Sequence, residues 1–413
     1  MEAENNMKVL YISYDGMTDQ LGQSQVIPYL EGLAKHGYQF TLLSFEKKER
    51  LERYRAEIST QLKKSNITWV PLFYTKKPPV LSTMWDVWRM KKKALQLHRE
   101  KNFGLVHCRS YIASLAGLQM KRKFGLKFIF DMRAFYADER VDGNLWDLKN
   151  PVYKIVFSFF KRKEKEFLTA ADYVITLTHK AKQIIHNWKE IPHQPIPIQV
   201  IPCCSDLDLF SLEQVDKNLL KQLRNKFQLT GNEFVLSYLG STGTWYMLDK
   251  MLDFFKCLLD KSPGAKFLFI TNDPTAHIIE KAAARGIKKE ALIFDAAKRQ
   301  RVPTYLALSN WAIFFIQPYF SKAGSSPTKQ GEIMGMQIPI VCNSGVGDVD
   351  AIVVDTNSGI IVKDLSEQSY KTAIEQMLAY KKSAENIRQG AFKYYSLKSG
   401  VEKYLEVYQS VLP

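Results

Sequence analysis

The sequence has no long apolar run of the kind that a membrane-spanning helix requires. Its longest apolar segments, such as FVLSYLG and WAIFFI, have the length of a β-strand, whereas a bilayer span needs about 20 residues. The first residues, MEAENNMKVLYISY, are acidic and polar ahead of the first apolar run, unlike the basic, apolar and small-residue order of a secretion signal. We therefore expect no transmembrane segment and a cytoplasmic location.

Cysteine is also scarce. The five cysteines are scattered along 413 residues, and most lie beside strand-like segments. An odd number without regular spacing fits neither a disulfide framework nor a metal site. We expect reduced thiols and no bound metal, with the adjacent Cys203 and Cys204 as the pair to test.

Positive charge is plentiful and unevenly distributed. The chain has a net charge of +16, and residues 1–210 hold 33 Lys and Arg against 22 Asp and Glu, leaving 25 and 20 for the rest. The first half is therefore expected to face an anionic membrane surface, a phosphorylated acceptor or a nucleic acid. Nucleic-acid binding would need base-stacking aromatics and a recognisable module, and since neither is evident, we expect no nucleic-acid partner.

A basic and aromatic stretch stands out in this first half. It is predicted to be helical and comprises Lys76, Lys77, Trp85, Trp88, Arg89, Lys91, Lys92 and Lys93. Such a stretch could dock on anionic lipid with its aromatic rings at headgroup level, and the KRK triplets at 121–123 and 161–163 could extend it. A solvated charged face is the alternative.

Strand-like and helix-like segments alternate along both halves, which predicts an α/β fold with parallel sheets covered by helices. The strand candidates are KVLYISY, FTLLSF, LVHC, KFIF, YVITLT and IQVIP in the first half, and FVLSYLG, KFLFIT, ALIFD, WAIFFI, IPIVCN and GIIVK in the second. We expect two Rossmann-like doubly wound domains, 1–212 and 213–395, linked within 206–232. Residues 396–413 have helical spacing and are expected to pack toward the first domain.

Polar residues follow the first-half strands, where ligands gather in open α/β sheets. The acceptor-side candidates are Asp15, Gln23, His107, Arg109, Asp131 and Arg133. A structural ion-pair network is the alternative for the charged members. Arg133 is the preferred candidate, because a fixed guanidinium suits a phosphate or carboxylate. Gly22, in LGQSQ ahead of a helix, would let backbone amides approach a phosphate or sugar, unless this is a plain glycine turn.

A glycine and hydroxyl loop follows the first strand of the second half. Its members are Gly240, Ser241, Thr242, Gly243 and Thr244. Such a loop between a strand and a helix can cradle an anion with its amides, and a bare turn is the alternative. The loop lacks the Lys-Ser/Thr ending of a Walker motif, so ATP hydrolysis is not implied.

The densest signal is the segment SKAGSSPTKQGEIMGMQIPIVCN. Ser325, Ser326 and Thr328 precede or open a short helix, and the latter two occupy N-cap-like positions. The free amides of that helix could bind a diphosphate neutralised by Lys329, while Glu332 could accept hydrogen bonds from a ribose diol. A capped helix with a surface lysine and glutamate is the alternative.

Five segments together resemble family 4 glycosyltransferases of the GT-B class, over nearly the whole length. They are LGQSQVIPYLEGLAKHGYQFTLLS, ADYVITLTHKAKQII, IPCCSDLDLF, LGSTGT and SSPTKQGEIMGMQIPIVCN. The resemblance implies two domains facing across a cleft, with a nucleotide-diphosphate sugar held mainly by the C-terminal domain. It further implies hexosyl transfer with retention, without metal or cofactor, to a glycan or lipid-linked acceptor, as in cell-envelope polysaccharide biosynthesis.

The resemblance assigns roles to several positions. Glu332 matches the second glutamate of the family's Glu-x7-Glu motif and would hold the donor ribose. Lys329, Ser326 and Thr328 would face the diphosphate, and Gly22 would approach the donor phosphate from the other domain. We expect Lys329, Glu332 and Arg133 to be the catalytic group.

Three departures from the family pattern concern the sugar and the leaving group. Gly324 replaces the first motif glutamate, Ser241 and Tyr246 replace a basic pair, and Arg109 replaces a strand-end histidine. Two other functions therefore stay open, a nucleotide-sugar epimerase of the same architecture and a catalytically weak partner subunit that binds nucleotide or lipid. Lipid-linked acceptors among relatives favour peripheral contact of this chain with the inner face of the membrane.

Overall fold

The computed structural model describes residues 7–381 and 383–412. Residues 1–6, which open the segment compared with a secretion signal, lie outside that range. The chain divides into two compact units, Met1–Cys203 with Leu397–Pro413, and Cys204–Ser396. The boundary predicted after residue 212 thus lies inside the second unit, and the segment predicted as the linker opens that unit.

The first unit contains a parallel sheet in the order β3-β2-β1-β4-β5-β6-β7. The strands are β1 (Lys8–Ser13), β2 (Gln39–Glu46), β3 (Thr68–Phe73), β4 (Leu105–Arg109), β5 (Lys127–Asp131), β6 (Tyr173–Thr176) and β7 (Ile198–Val200). The helices are α1 (Gln20–Gln25), α2 (Ile27–Ala34), α3 (Lys48–Lys64), α4 (Leu81–Lys101), α5 (Ser110–Phe124), α6 (Tyr136–Asp142), α7 (Pro151–Ala170) and α8 (His179–His186).

The second unit repeats this plan with the order β10-β9-β8-β11-β12-β13. Its strands are β8 (Val235–Leu239), β9 (Lys266–Ile270), β10 (Leu292–Asp295), β11 (Trp311–Phe314), β12 (Ile340–Asn343) and β13 (Gly359–Val362). Its helices are α9 (Lys217–Lys226), α10 (Leu248–Lys261), α11 (Ala276–Ala283), α12 (Val302–Leu306), α13 (Thr328–Gly335), α14 (Val349–Thr356), α15 (Glu367–Ala379) and α16 (Ala384–Tyr395).

The predicted α/β class and two doubly wound sheets are confirmed, and the expected strand segments form strands. Strand β3, TWVPLF, is absent from the predicted strand segments. It lies at the sheet edge and is only partly buried, and its apolar run is interrupted by Pro71, which edge strands tolerate. Within the described ranges, no helix combines the length and apolar character needed to cross a bilayer.

The last helix, α17 (Leu397–Val411), packs on the first unit. It approaches α2 so closely that a Cβ on Gly32 would lie 2.6 Å from the Val401 side chain. Two buried tyrosines of α17 reach polar groups of the sheet. The hydroxyl of Tyr408 lies 2.8 Å from His107 Nδ1, and that of Tyr404 donates to Asp131 at 3.1 Å. Apolar contact and buried hydrogen bonds therefore both hold this helix.

We expect Tyr408→Phe to destabilise the protein by about 1–3 kcal/mol, because the imidazole of His107 would keep its buried position and lose a hydrogen-bond partner. Urea unfolding followed by circular dichroism measures this change. Gln409→Ala, at a neighbouring exposed position, is the matched control. A Tyr408→Phe protein as stable as the parent would show that this hydrogen bond contributes nothing to the docking of α17.

Candidate functional site

Lys329 lies on α13, and its ammonium group faces the loop after β8. Its Nζ donates to the Tyr238 hydroxyl at 3.2 Å and lies 4.3 Å from the centre of that ring and 3.6 Å from the centre of the Tyr246 ring. A Cβ on Gly240 would come within 3.2 Å of it, so the missing side chain makes room for the cation. The predicted glycine loop and the predicted lysine therefore meet.

The charge on Lys329 is poorly compensated. Its side chain is buried, and among the residues described, no carboxylate lies within 4 Å of its Nζ. Burial lowers its pKa from the ordinary 10.5 to about 7, although the nearby Glu332 acts in the opposite direction. The aromatic faces attract the cation but do not neutralise it. An anion bound at this point would supply the missing negative charge.

Glu332 lies one turn further along α13 and is also buried. Arg299, in a short 3-10 helix after β10, donates to Glu332 Oε1 at 2.7 Å and stacks over the Phe210 ring at 5.1 Å. Burial raises the pKa of Glu332, and Arg299 and Lys329 oppose that shift. Sequence reasoning missed Arg299, although its place just beyond a strand end could have marked it.

The glycine loop does not present the predicted row of free amides. The Gly240 amide donates to Ile270 O at 3.0 Å, the Thr242 amide to Asp273 Oδ2 at 2.6 Å, and the Gly243 amide to Ser241 Oγ at 3.3 Å. These three positions were predicted to face a phosphate, but their amides already donate to acceptors within the protein. Thr244, the last predicted member, adopts a left-handed φ of 48°.

Asp273, which the sequence did not suggest, is the acceptor that fixes this loop. Burial alone would raise the pKa of its carboxyl, yet hydrogen bonds from the Thr242 amide and hydroxyl leave it below the ordinary value. A carboxylate so close to a phosphate would repel it. Within this site Lys329 is therefore a stronger anion-binding element than the loop amides.

The start of α13 also differs from expectation. Pro327 occupies the N-cap position, without a side-chain cap, so neither Ser326 nor Thr328 caps the helix. Ser325, Ser326 and Thr328 are all partly exposed, and the Thr328 carbonyl accepts from Ser205 Oγ at 3.2 Å. An uncapped start leaves the positive end of the helix dipole available to an anion.

Two of the three departures noted in the sequence, those at Gly324 and at Ser241 and Tyr246, lie in the second unit. Gly324 is buried at the end of a 3-10 helix, Phe320–Gly324. In that helix the buried Lys322, which sequence reasoning missed, places its ammonium 3.5 Å from the centre of the Trp245 ring. Two lysines of the segment 322–329 thus contact the aromatic residues of the loop after β8. This segment supplies cations that the loop lacks.

In the first unit the predicted charged residues converge at the carboxyl ends of β1, β4 and β5. Arg109 stands in register with Ser13 on one side and Asp131 on the other. Its Nε donates to Asp15 Oδ2 at 3.0 Å. The Arg109 side chain is buried, whereas the Asp15 side chain is 42% exposed. Asp15 therefore remains accessible to a ligand.

Asp131 forms the centre of a buried cluster. Its carboxylate lies 3.7 Å from His107 Nε2 and 3.6 Å from Arg133 Nη1, and it accepts from Tyr404. Burial alone would raise its pKa, but Arg133 and His107 outweigh this effect and lower it to about 2. Burial lowers the pKa of His107 in turn.

The surroundings of this cluster favour the ion-pair-network alternative. His107, Asp131 and Arg133 are at most 9% exposed, and two of them contact the tyrosines of α17. Arg133 also donates to Cys203 Sγ at 3.3 Å and has a left-handed φ of 64°, a strained backbone conformation for a residue with a side chain. The catalytic role suggested for Arg133 stays a prediction.

Gly22 lies inside helix α1, whereas the sequence placed it ahead of a helix, either approaching a phosphate or in a plain turn. A Cβ at this position would collide with backbone atoms of Gly16 and Met17, so the absence of a side chain permits tight packing of the helix on the preceding segment. Gln23, one residue on, is exposed and donates to Thr18 O at 3.4 Å. The geometry accounts for the glycine through packing.

Two family models match the chain. One, described as Glycosyltransferase Family 4, matches residues 24–209, and the other, described as Glycosyl transferases group 1, matches residues 221–394. The chain belongs to the family 4-like glycosyltransferases of the GT-B class. The site on α13 is thus in the part of this glycosyltransferase that the group 1 model covers.

Solved structures resemble this glycosyltransferase in fold. A glycosyltransferase from Rickettsia africae shares 15% identity at a TM-score of 0.74, covering 99% of each chain. A sucrose-phosphate synthase from Thermosynechococcus elongatus shares 14% at 0.73, covering 98% of this chain and 99% of that one. HepE from Anabaena, solved with UDP-glucose, shares 13% at 0.69, covering 98% and 100%. A search of curated proteins gave no match.

Lys329→Met is expected to stabilise this glycosyltransferase at pH 6–7. The folded-state pKa of Lys329 lies below its unfolded value, so the folded protein binds fewer protons between about pH 7 and 10.5 and its stability rises through that window. Each pKa unit corresponds to about 1.4 kcal/mol. The variant's free energy of unfolding should therefore exceed that of the parent by several kcal/mol at pH 6, and this difference should shrink toward pH 10.

Denaturant unfolding of both proteins at several pH values measures this difference, with the half-exposed Lys256→Met as the control. A constant stability difference between pH 6 and 10 would contradict the lowered pKa of Lys329.

Proposed function

We propose that this glycosyltransferase moves a sugar from a nucleotide-diphosphate sugar to a hydroxyl acceptor, with retention of anomeric configuration and without a metal. The observation that carries the proposal is the buried, uncompensated ammonium of Lys329 beside Gly240. Family membership supports sugar transfer, and HepE, a protein of the same fold, was solved with UDP-glucose. A diphosphate is an anion that Lys329 would neutralise.

Glycosyl transfer expels a nucleoside diphosphate, so negative charge develops on the phosphate nearest the sugar. A preorganised cation at that point stabilises the transition state more than the ground state. We assign this task to Lys329, with Lys322 and the start of α13 as supporting positive charge. The family supplies a basic pair from the loop after β8, and here Ser241 and Tyr246 occupy those positions.

Glu332 is proposed to accept hydrogen bonds from the ribose hydroxyls of the donor. Arg299 already donates to one of its oxygens, and this pairing orients the carboxylate and favours its charged form. Arg299 is therefore a positioning residue for Glu332. Ser325, Ser326 and Thr328 are proposed to contact the diphosphate, and Gly324 leaves the sugar without the usual glutamate.

The acceptor is proposed to be a glycan or a lipid-linked precursor of a cell-envelope polysaccharide. Asp15, accessible and oriented by Arg109, is the preferred acceptor-side residue. We place the protein in the cytoplasm, with peripheral contact to the inner face of the membrane. Its basic first unit supports that location.

Binding of a nucleoside diphosphate is the first test of the proposal. We expect UDP, GDP or ADP to raise the melting temperature, because a ligand at a hundredfold over its Kd adds about 2.7 kcal/mol of stability. Affinity should weaken above pH 7, where Lys329 loses its proton. If none of the three nucleotides shifts the melting temperature, the proposal fails.

Turnover is the second test. Lys329→Ala should slow acceptor-dependent nucleotide release by roughly ten- to a hundredfold, since a charge-assisted hydrogen bond is worth about 1.5–3 kcal/mol. Lys256→Ala, at a half-exposed position on α10, should leave turnover unchanged. Unaltered turnover in Lys329→Ala would refute the assignment of this lysine.

The same assay separates the two other candidate functions. Interconversion of donor sugars without an acceptor would identify an epimerase. Nucleotide binding without turnover would identify a partner subunit, the alternative that the replacements at Gly324 and Ser241 leave open.

A further inference from the structure

A wide groove lies in the first unit, and its lining includes the acceptor-side candidates Asp15 and Arg109. It has a volume of about 1450 Å³. Its floor is formed by α5, with Ile112, Leu115 and Leu118, and α4 and α7 contribute Val87 and Phe159. The groove includes residues of α5 from Ser110 to Lys123, which corresponds to about 20 Å at the helical rise.

Large apolar side chains stand exposed along this groove. Met84 is 62% exposed, Trp88 50% and Ile155 70%, and all three belong to its lining. Trp85 stacks on Trp88 with a ring distance of 4.9 Å. An exposed apolar surface of this kind marks a place where a partner covers it.

The groove is also positively charged. Its lining holds seven Lys and Arg against two Asp and Glu, the basic members being Lys76, Lys91, Arg109, Arg122, Lys123, Arg140 and Lys163. At one end Arg122 and Lys163 share the single carboxylate of Glu166, so that end keeps an excess of positive charge. The apolar floor therefore lies next to uncompensated cations.

Lys91 is the lysine of this groove whose charge is least compensated. It is half-buried, and within residues 7–381 and 383–412 it has no carboxylate within 4 Å. Burial lowers its pKa, and the like charge of Lys163 lowers it further. An anion placed between Lys91 and Lys163 would oppose both causes of the lowered pKa, because it favours the charged form of Lys91.

We propose that this groove binds a membrane lipid with a phosphate head, its hydrocarbon chain lying over α5 and its phosphate between Lys91 and Lys163. A hydrocarbon chain matches the apolar floor, and a phosphate matches the cations beside it. An acidic peptide would leave the apolar floor exposed to water, and a neutral lipid would leave the charges of the lysines uncompensated. The site goes beyond the proposed function, because it holds whether or not the lipid is the sugar acceptor.

Lipid binding is tested on the full chain by calorimetric titration with oleoyl lysophosphatidic acid, below the concentration at which it forms micelles. Glycerol 3-phosphate supplies the head alone and monooleoylglycerol the chain alone. We expect the complete lipid to bind at least about tenfold more tightly than either part, and more tightly than the zwitterionic lysophosphatidylcholine. Equal binding of glycerol 3-phosphate would identify a site for free phosphate and overturn the proposal.

Substitutions locate the site. Leu115→Trp and Val156→Trp fill the groove from its floor and from α7, and each should abolish binding of both chain-bearing ligands. Lys91→Gln should weaken lysophosphatidic acid about tenfold and leave monooleoylglycerol unchanged. The matched control is Lys93→Gln, on the same helix but outside the lining. Circular dichroism and the Kd for UDP, measured in parallel, show that each variant is folded.

Two results would overturn the inference. One is unchanged lipid affinity in both folded tryptophan variants, which would place the lipid elsewhere. The other is a wild-type dimer that either tryptophan variant converts to a monomer, which would make a second copy of the chain the occupant. Loss of nucleotide binding with lipid binding intact would instead count against the proposed function alone.

Discussion

The contact between the ammonium of Lys329 and the rings of Tyr238 and Tyr246 is the interaction on which the second unit's site depends. A buried cation without a carboxylate is costly, and the ring faces and the Tyr238 hydroxyl offset only part of that cost. Gly240 lets the ammonium approach the end of β8 because it has no side chain. On the function proposed here, a bound diphosphate would supply the missing negative charge.

The first unit buries charge at the same edge of its sheet, but there the charges compensate one another. Asp131 contacts Arg133, His107 and Tyr404, so its charge is paired within the protein. Burial of a titratable group is therefore insufficient to indicate a site. The compensated cluster joins α17 to the sheet, whereas the charge of Lys329 has no carboxylate within 4 Å among the described residues.

The groove on α4, α5 and α7 applies the same reasoning to a surface. Exposed Trp88 and half-buried Lys91 lie on one helix. An apolar ligand would bury the Trp88 ring, and an anion would compensate the charge of Lys91. An amphiphile meets both needs with one molecule. The excess positive charge of the first half, which the sequence concentrated in residues 76–93 and two KRK triplets, is thus partly assigned to a defined surface.

The sequence alone determined the α/β class and the two parallel sheets, because apolar runs are local patterns. It also indicated candidate site segments, because strand ends that are distant in sequence become neighbours in a parallel sheet. It also marked Lys329 and Glu332, since both belong to a contiguous motif. Only the tertiary structure decided which charges are satisfied. The partners of Asp131, Glu332 and the Thr242 amide come from distant parts of the chain, and burial and pairing depend on those contacts.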